Sequence, residues 1–327
     1  MCDDMGYGDI ACYGQPFINT PCLDQMAREG MRFTQAYAGS PVSAPSRATL
    51  MTGQHTGHTH VRGNKEYWRG VPMVKYGENE DYAIVGQEPY APQHKILPEM
   101  LKDQGYTTGL FGKWAGGYEG SASTPDKRGV DEFYGYICQF QAHLYYPNFL
   151  NRFSKAFGDT AVVREVLEQN IQHPMFGKEY SFIAWWPGHI KASSVNDTPF
   201  AFYDIMPTFC DLAGIKQFAK RYINKRLPGD GFDGISIAPS LLGNDAAQKH
   251  RDYLYWEFHE TDQIGVRMGN WKLVVEKGQP HLFNLVTDLH KDHDIASSHP
   301  DILSKMLEVI KKEHTPSADF VVTLPSY

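Results

Sequence analysis

The chain has few cysteines, no long apolar run and no excess of positive charge. Its five cysteines among 327 residues are odd in number and widely spaced, so they form neither a zinc pattern nor a disulfide framework. No apolar run is long enough to span a bilayer, and no signal peptide is recognisable. The net charge of −7 argues against a nucleic-acid partner.

The composition and residue order predict an α/β protein. Hydrophobic residues make up 42% and aromatic residues 13% of the chain, which is typical of a globular protein with a large core. Helix–glycine–strand units recur along the chain and predict a central mixed sheet flanked by helices. The predicted units are a helix over 23–29 with a strand over 31–37, a helix over 96–104 with a strand over 106–111, and a helix over 202–212 before Gly214.

The last part of the chain has a different pattern. Short predicted strands follow one another and precede a helix over 300–312, which indicates a small antiparallel sheet with a packed helix. We therefore predict a catalytic α/β domain over residues 1–250 and an α+β subdomain over 251–327. Residues 60–95 and 216–250 are interpreted as a surface excursion and a connector. The predicted strands of the subdomain are 253–258, 264–268, 271–275 and 281–285.

The segment S-A-P-S-R-A-T-L-M-T-G over residues 43–53 is the most informative stretch. Pro45 favours the first turn of a helix and Gly53 ends it. Backbone N–H groups and the positive end of the helix dipole would then face Ser43, which favours an anionic ester or an anionic reaction centre there. An ordinary helix capped by Ser43 or Ser46 is the alternative.

This segment resembles the activation signature of the type I sulfatases, members of the alkaline-phosphatase-like superfamily. Other stretches resemble sulfatase segments in the same order, over nearly the whole chain. The resemblance is strongest to bacterial carbohydrate sulfatases whose signature begins with serine. The further matching stretches are D-D at residues 3–4, G-K-W at 112–114, I-A-W-W-P-G at 183–188 and D-I-M-P-T at 204–208.

The resemblance implies a chemistry and a set of site residues. Ser43 would be oxidised to formylglycine by a sulfatase-maturating enzyme. One hydroxyl of the hydrated aldehyde attacks sulfur, and the second lets sulfate leave as the aldehyde is regenerated. Asp3 and Asp4, with residue 43, would bind Ca2+, or Mg2+, through oxygen ligands. Arg47 would hold the formylglycine and Lys113 would neutralise the sulfate.

Histidines supply further candidates. His143 and His259 lie among aromatic residues and are candidate sugar contacts, although a packing role is equally compatible with the sequence. His55, His58 and His60 are spaced closely enough for a zinc site. Because no second ligand cluster accompanies them, the sequence favours a role in lining or supporting the pocket.

The chain departs from the family pattern in two ways. Ala115 stands where the family usually has a histidine that helps to deprotonate the hydrated aldehyde. An Asp-Asn-Gly metal loop, a second lysine and a general-acid histidine are also absent. The sequence therefore predicts that a central segment, on the order of a hundred residues, is missing near the 180/181 junction. A complete chain of this kind would fold poorly and be inactive.

Three functions remain open from the sequence. The first is hydrolysis of sulfate esters on a galactose- or hexosamine-type glycan by a periplasmic or secreted bacterial enzyme. The second is a phosphoesterase of the same superfamily, which would keep serine as the nucleophile. The third is a non-catalytic protein that binds sulfated glycans.

Overall fold

The sequence folds into layers of helices and mixed sheets. The structure, a computed structural model, describes residues 5–68, 71–72, 85–139, 149–166, 182–215, 232–288 and 291–326. The 180/181 junction lies outside these ranges, so the missing segment stays a prediction, as does the domain boundary at 250/251. Among the described helices, none combines the length and apolar character needed to cross a bilayer.

The described helices confirm the predicted ones within a few residues at each end. Each carries an apolar face into the core, and α2 and α5 are almost fully enclosed. The predicted helix over 202–212 begins with a 3-10 turn at Phe202–Asp204 before its α-helical part. The helices are α1 (Pro21–Glu29), α2 (Ser43–Thr52), α3 (Leu97–Lys102), α4 (Ile205–Leu212), α5 (Ala238–Leu241) and α6 (Pro300–Glu313).

The strands of the described residues group into several sheets. They are β1 (Met31–Phe33), β2 (Ala36–Tyr37), β3 (Glu66–Trp68), β4 (Val71–Pro72), β5 (Val85–Gln87), β6 (Gly109–Lys113), β7 (Glu132–Tyr136), β8 (Phe149–Ser154), β9 (Val163–Val166), β10 (Phe182–Ala184), β11 (Ser194–Asn196), β12 (Phe200–Ala201), β13 (Leu254–Phe258), β14 (Gln263–Met268), β15 (Trp271–Glu276) and β16 (Gln279–Asn284).

Strand β1 joins distant parts of the chain. It pairs antiparallel with β10 and parallel with β11, with Phe33 opposite both Phe182 and Asn196. The single strand predicted over 31–37 is instead two strands, and the second, β2, pairs in parallel with β12. The residues after the 180/181 junction are therefore built into the N-terminal part of the fold.

A second mixed sheet carries one of the predicted site residues. Strands β6 and β7 are parallel, whereas β8 and β9 continue the sheet in antiparallel fashion. Strand β6 ends at Lys113, where ligand sites of α/β sheets usually lie.

The described residues of the 60–95 region, 60–68, 71–72 and 85–95, contain strands that its glycine and proline content does not predict. Strands β3, β4 and β5 form a small antiparallel sheet there, and both Gln87 and Tyr90 are buried. The interpretation of this region as an entirely surface excursion was therefore wrong. The apolar Tyr90 ring, which packs at the Trp114 ring, stabilises it against the core.

The C-terminal sheet confirms the prediction closely. Strands β13 to β16 form an antiparallel meander, and α6 packs its Met306 and Ile310 side chains on the apolar face of the sheet, which Val266 and Leu273 help to form. Alternation of buried and exposed side chains along the strands gives this sheet one covered face.

The cysteines differ in accessibility, which leads to a testable expectation. Cys22 is exposed, whereas Cys138 and Cys210 are buried, and burial raises the pKa of the Cys210 thiol to about 12. Because thiolates are the reactive species, iodoacetamide should alkylate Cys22 in the native protein and leave Cys138 and Cys210 intact until urea is added. Peptide mass mapping measures this, and rapid native labelling of Cys210 would contradict the described packing.

Candidate functional site

The helix α2 presents Ser43 at its first residue. Its N-cap, Val42, has an extended backbone, and Gly53 closes the helix in the left-handed region at φ 68°, donating its N–H to Thr49 O at 2.9 Å. Ala44 and Ala48, one turn apart, are fully buried, which fixes the helix in the core. Ser43 itself is only partly buried, so a ligand can reach its hydroxyl.

Arg47 connects Ser43 to the neighbouring sheet. Its Nε donates to Ser43 Oγ at 3.1 Å, and its Nη1 donates to the carbonyl oxygen of Lys113 at 2.7 Å. The positions 43 and 47 lie one helical turn apart, so this contact follows directly from helix geometry. The guanidinium thus holds the serine hydroxyl next to the end of strand β6.

Lys113 follows a backbone that only glycine adopts easily. Gly112 has φ 105° and lies opposite Gly135 in the parallel pair of β6 and β7. A Cβ on Gly135 would lie 1.9 Å from Gly112 O, so β7 cannot carry a side chain at this position. This close approach of β6 and β7 fixes the position of Lys113 at the end of β6. The Lys113 side chain is buried.

The next two residues anchor the end of the strand. Trp114 is fully buried and donates its indole N–H to Ser123 O at 2.7 Å. Ala115 is also fully buried and has φ 54°, a conformation that histidine and asparagine adopt more readily than alanine. The backbone at 115 is therefore in a conformation unfavourable for alanine, and the side chain carries no base.

The C-terminal sheet reaches α2 through two hydrogen bonds. Ala44 N–H donates to Asn64 Oδ1 at 3.3 Å, and Asn64 N–H donates to Glu260 Oε1 at 2.6 Å. The adjacent His259 is bonded through Nδ1 to Val321 O at 2.6 Å. The residue next to His259 is therefore connected to the first turn of α2 by hydrogen bonds. The role of His259 as a sugar contact stays a prediction.

The structure brings together three of the predicted site residues. Ser43, Arg47 and Lys113 form one hydrogen-bonded group, while Asp3, Asp4 and His143 lie outside the described residues. Of the predicted metal ligands, Ser43 alone has a described position. The contribution of Asn64 and Glu260 was missed, because each is a single polar residue with no distinguishing spacing.

The three histidines after α2 have two different sets of partners. His60 Nε2 lies 2.9 Å from Glu88 Oε1, whereas His55 and His58 contact Asp233 and Glu313. Although burial opposes a charge on His58, its contacts with the two carboxylates hold its pKa above the usual value. Asp233 and Glu313, which are distant from the histidines in sequence, therefore supply the second pair of ligand-type side chains that the sequence did not reveal.

Comparison with known families agrees with this geometry. The family model described as Sulfatase matches residues 1–179, more than half of the chain. The chain belongs to the sulfatase family. The matched residues include α2 with Ser43 and Arg47, and strand β6 with Lys113.

A curated relative matches part of the sulfatase chain. The N-acetylgalactosamine-6-sulfatase of Sus scrofa is 42% identical over 135 residues, which are 41% of this chain and 24% of that protein. The chain thus matches about a quarter of this relative's length.

Solved structures match nearly the whole fold. The structure of Ps i-CgsB in complex with k-i-k-neocarrahexaose has a TM-score of 0.68 at 20% identity, covering 95% of this chain and 90% of that chain. A protein solved with its substrate D-glucosamine-2-N,6-O-disulfate has a TM-score of 0.68 at 14% identity, covering 95% and 93%. These likenesses confirm the predicted architecture of a sulfatase with a C-terminal antiparallel sheet and helix.

Proposed function

We propose that this sulfatase hydrolyses sulfate esters on a galactose- or hexosamine-type sugar, with formylglycine derived from Ser43 as the nucleophile. The observation that carries the proposal is the guanidinium of Arg47, which joins Ser43 Oγ to the backbone of Lys113. It places residue 43, the Arg47 guanidinium and the backbone of Lys113 together at the start of a helix.

The residues of the chain have distinct parts in this reaction. The start of α2 provides a positive electrostatic field at residue 43, which stabilises the anionic sulfuryl group. Arg47 orients the oxygen at residue 43 and supplies a positive charge beside it. Lys113 adds a point charge at the end of β6, which lowers the energy of an anionic substrate in the pocket.

Two further groups complete the proposed chemistry. Formylglycine, once hydrated, supplies a nucleophilic hydroxyl and a second hydroxyl that allows sulfate release. A Ca2+ ion, or Mg2+, supplies positive charge, and Asp3, Asp4 and residue 43 would hold it with the hard oxygen ligands that these ions prefer. The accessible hydroxyl of Ser43 fits both the conversion and the metal. A sulfatase-maturating enzyme would carry out the conversion of Ser43.

The sugar assignment rests on the named ligands of similar proteins. One relative is named for a sulfated galactosamine, and one structural neighbour is described with a disulfated glucosamine as its substrate. We further propose a bacterial protein of the periplasm or the extracellular space. Hydrolysis of a panel of monosulfated galactose and hexosamine sugars, followed by anion-exchange chromatography of the desulfated products, tests the sugar class.

The experiment that tests the mechanism is peptide mass spectrometry combined with activity. Protein co-produced with a serine-type maturating enzyme should lose about 2 Da at Ser43, and aryl sulfate turnover should follow the converted fraction and depend on calcium. Turnover by protein with intact Ser43 would exclude formylglycine. Faster turnover of the matched aryl phosphate would support a phosphoesterase, and binding of sulfated oligosaccharides by converted protein without turnover would support a glycan-binding protein.

Arg47 gives a sharper test of the described geometry. Arg47→Lys keeps the positive charge, but a lysine amine cannot reproduce the planar guanidinium geometry that donates to Ser43 Oγ and Lys113 O at the same time. We expect aryl sulfate kcat/KM to fall about 10- to 100-fold with little change in melting temperature. The matched variant Arg152→Lys, at a half-exposed pair with Asp159, should retain activity. Equal activity of Arg47→Lys and the unchanged protein would contradict a positioning role.

A further inference from the structure

A cluster of four ligand-type side chains lies between the end of α2 and the C-terminal helix. His55 and His58 come from the turn after α2, Asp233 from the segment before α5, and Glu313 is the last residue of α6. One nitrogen or oxygen atom from each lies within 4.8 Å of those of the others. His55 and Glu313 are buried, and His58 and Asp233 are partly buried.

The atoms face one another at short range. His55 Nε2 lies 3.1 Å from Glu313 Oε2, and His58 Nε2 lies 3.8 Å from the same oxygen. Asp233 Oδ2 lies 3.8 Å from His55 Nε2. Ligand atoms in a tetrahedral zinc site are separated by about 3.3 Å, given metal–ligand distances near 2.0–2.1 Å. Small side-chain shifts would therefore place an ion between these atoms.

We propose that His55, His58, Asp233 and Glu313 bind a divalent transition metal, for which Zn2+ is the best fit. Two imidazoles and two carboxylates match the ligand preference of zinc, whereas calcium and magnesium take oxygen ligands. This site goes beyond the proposed sulfatase reaction, which needs an oxygen-ligated ion at residue 43. The ion would join α6 to the turn after α2.

The surrounding hydrogen bonds support the ligands. His58 Nδ1 lies 2.9 Å from Asp233 Oδ1, which orients the ring and leaves Nε2 towards Glu313. Tyr253 donates its hydroxyl to Glu313 Oε1 at 2.6 Å, so Oε2 is the carboxylate oxygen left facing the two histidines. These contacts hold two ligands in place before an ion arrives.

His55 has to change when the metal binds. Gly57 N–H donates to His55 Nδ1 at 3.1 Å, so the proton of the neutral ring is on Nε2. Binding through Nε2 moves the ring proton to Nδ1 and breaks the bond from Gly57. The Gly57 amide is therefore a specific reporter of metal bound at His55.

An ion can reach the cluster from solvent. A cavity of about 320 Å³ is lined by His55, Asp233 and Glu313, together with residues of the 250–253 segment. This cavity also has space for water to complete the coordination of the ion. Zinc exchange and removal by a chelator should therefore proceed without unfolding the protein.

The test uses the purified protein after chelator treatment and dialysis. Isothermal titration with ZnCl2 should show one ion bound per chain, and CoCl2 should produce the intense visible bands of a tetrahedral site. His58→Gln and Glu313→Gln should each weaken binding about tenfold or more. His281→Gln is the matched control, because His281 pairs with one carboxylate, Asp294, at the surface.

The outcomes separate a metal site from a hydrogen-bonded contact between the same side chains. No saturable zinc binding by folded protein would overturn the proposal, as would binding that is unchanged in both variants. Circular dichroism checks that each variant is folded, and Asp233→Asn provides a third variant that preserves the hydrogen-bonding shape. A shift of the Gly57 amide resonance on zinc addition locates the ion at His55. The Ser43→Ala protein should bind zinc normally, so failure of the sulfatase mechanism leaves this result unaffected.

Discussion

Ser43→Ala is expected to abolish hydrolysis of aryl sulfates, with a fall in kcat of at least about a thousandfold. Alanine lacks the hydroxyl oxygen, which is needed to form formylglycine and which Arg47 holds at 3.1 Å. The variant should fold normally, because Ser43 is only partly buried and alanine favours a helix. Steady-state kinetics and thermal melting of the calcium-loaded protein measure the two effects.

A buried serine outside the site provides the control for this substitution. Ser240 lies in α5, and its buried hydroxyl has no hydrogen bond to a described residue. Ser240→Ala should leave kcat within about a factor of two of its original value, because a buried hydroxyl without a partner contributes little to stability. Substantial aryl sulfate turnover by Ser43→Ala would refute the assignment of the nucleophile.

Trp114→Ala should produce the largest loss of stability. The indole is fully buried in the same core cluster as Ala44 and Ala48, packs against Tyr90 with ring centroids 5.4 Å apart, and bonds Ser123 O. Removing a side chain of this size leaves a cavity and an unpaired carbonyl group. The free energy of unfolding should fall by about 3–5 kcal/mol. Urea denaturation followed by circular dichroism measures the change.

Phe111 is the matched control for Trp114. It lies three residues earlier, on strand β6, and its side chain is 76% exposed. Phe111→Ala should change the free energy of unfolding by less than about 0.5 kcal/mol. Similar losses for the two variants would show that the strand, and not the buried indole, determines the stability of this region. Because Trp114 follows Lys113, its loss should also raise KM for the sulfate ester.

Local sequence signals predicted those helices and strands whose formation is determined by neighbouring residues. Helix α2 and its end at Gly53 follow from proline and glycine positions, and they place Ser43 and Arg47 one turn apart. The strands of the C-terminal sheet follow from alternating burial and from short connections between adjacent strands. In these cases the physical cause of the structure lies within a window of about ten to twenty residues.

Pairings between distant segments could not be predicted in this way. The partners of β1 lie beyond residue 180, and no local pattern specifies which strand is added to which edge. Asp233 and Glu313 are likewise 178 and 258 positions away from His55. The sheet over 66–87 was missed because its short strands are separated by glycine and proline, which normally indicate loops.

The pairing of β1 has a consequence for synthesis on the ribosome. Phe33 leaves the ribosome well before Asn196, its parallel partner, and at about 5–20 residues per second the interval is roughly ten to thirty seconds. During that time β1 has unpaired edges and an uncovered apolar face around Met31 and Phe33. Nascent chains halted before residue 182 should therefore be the species that most needs chaperones, and the same interval leaves the signature at Ser43 open to a modifying enzyme.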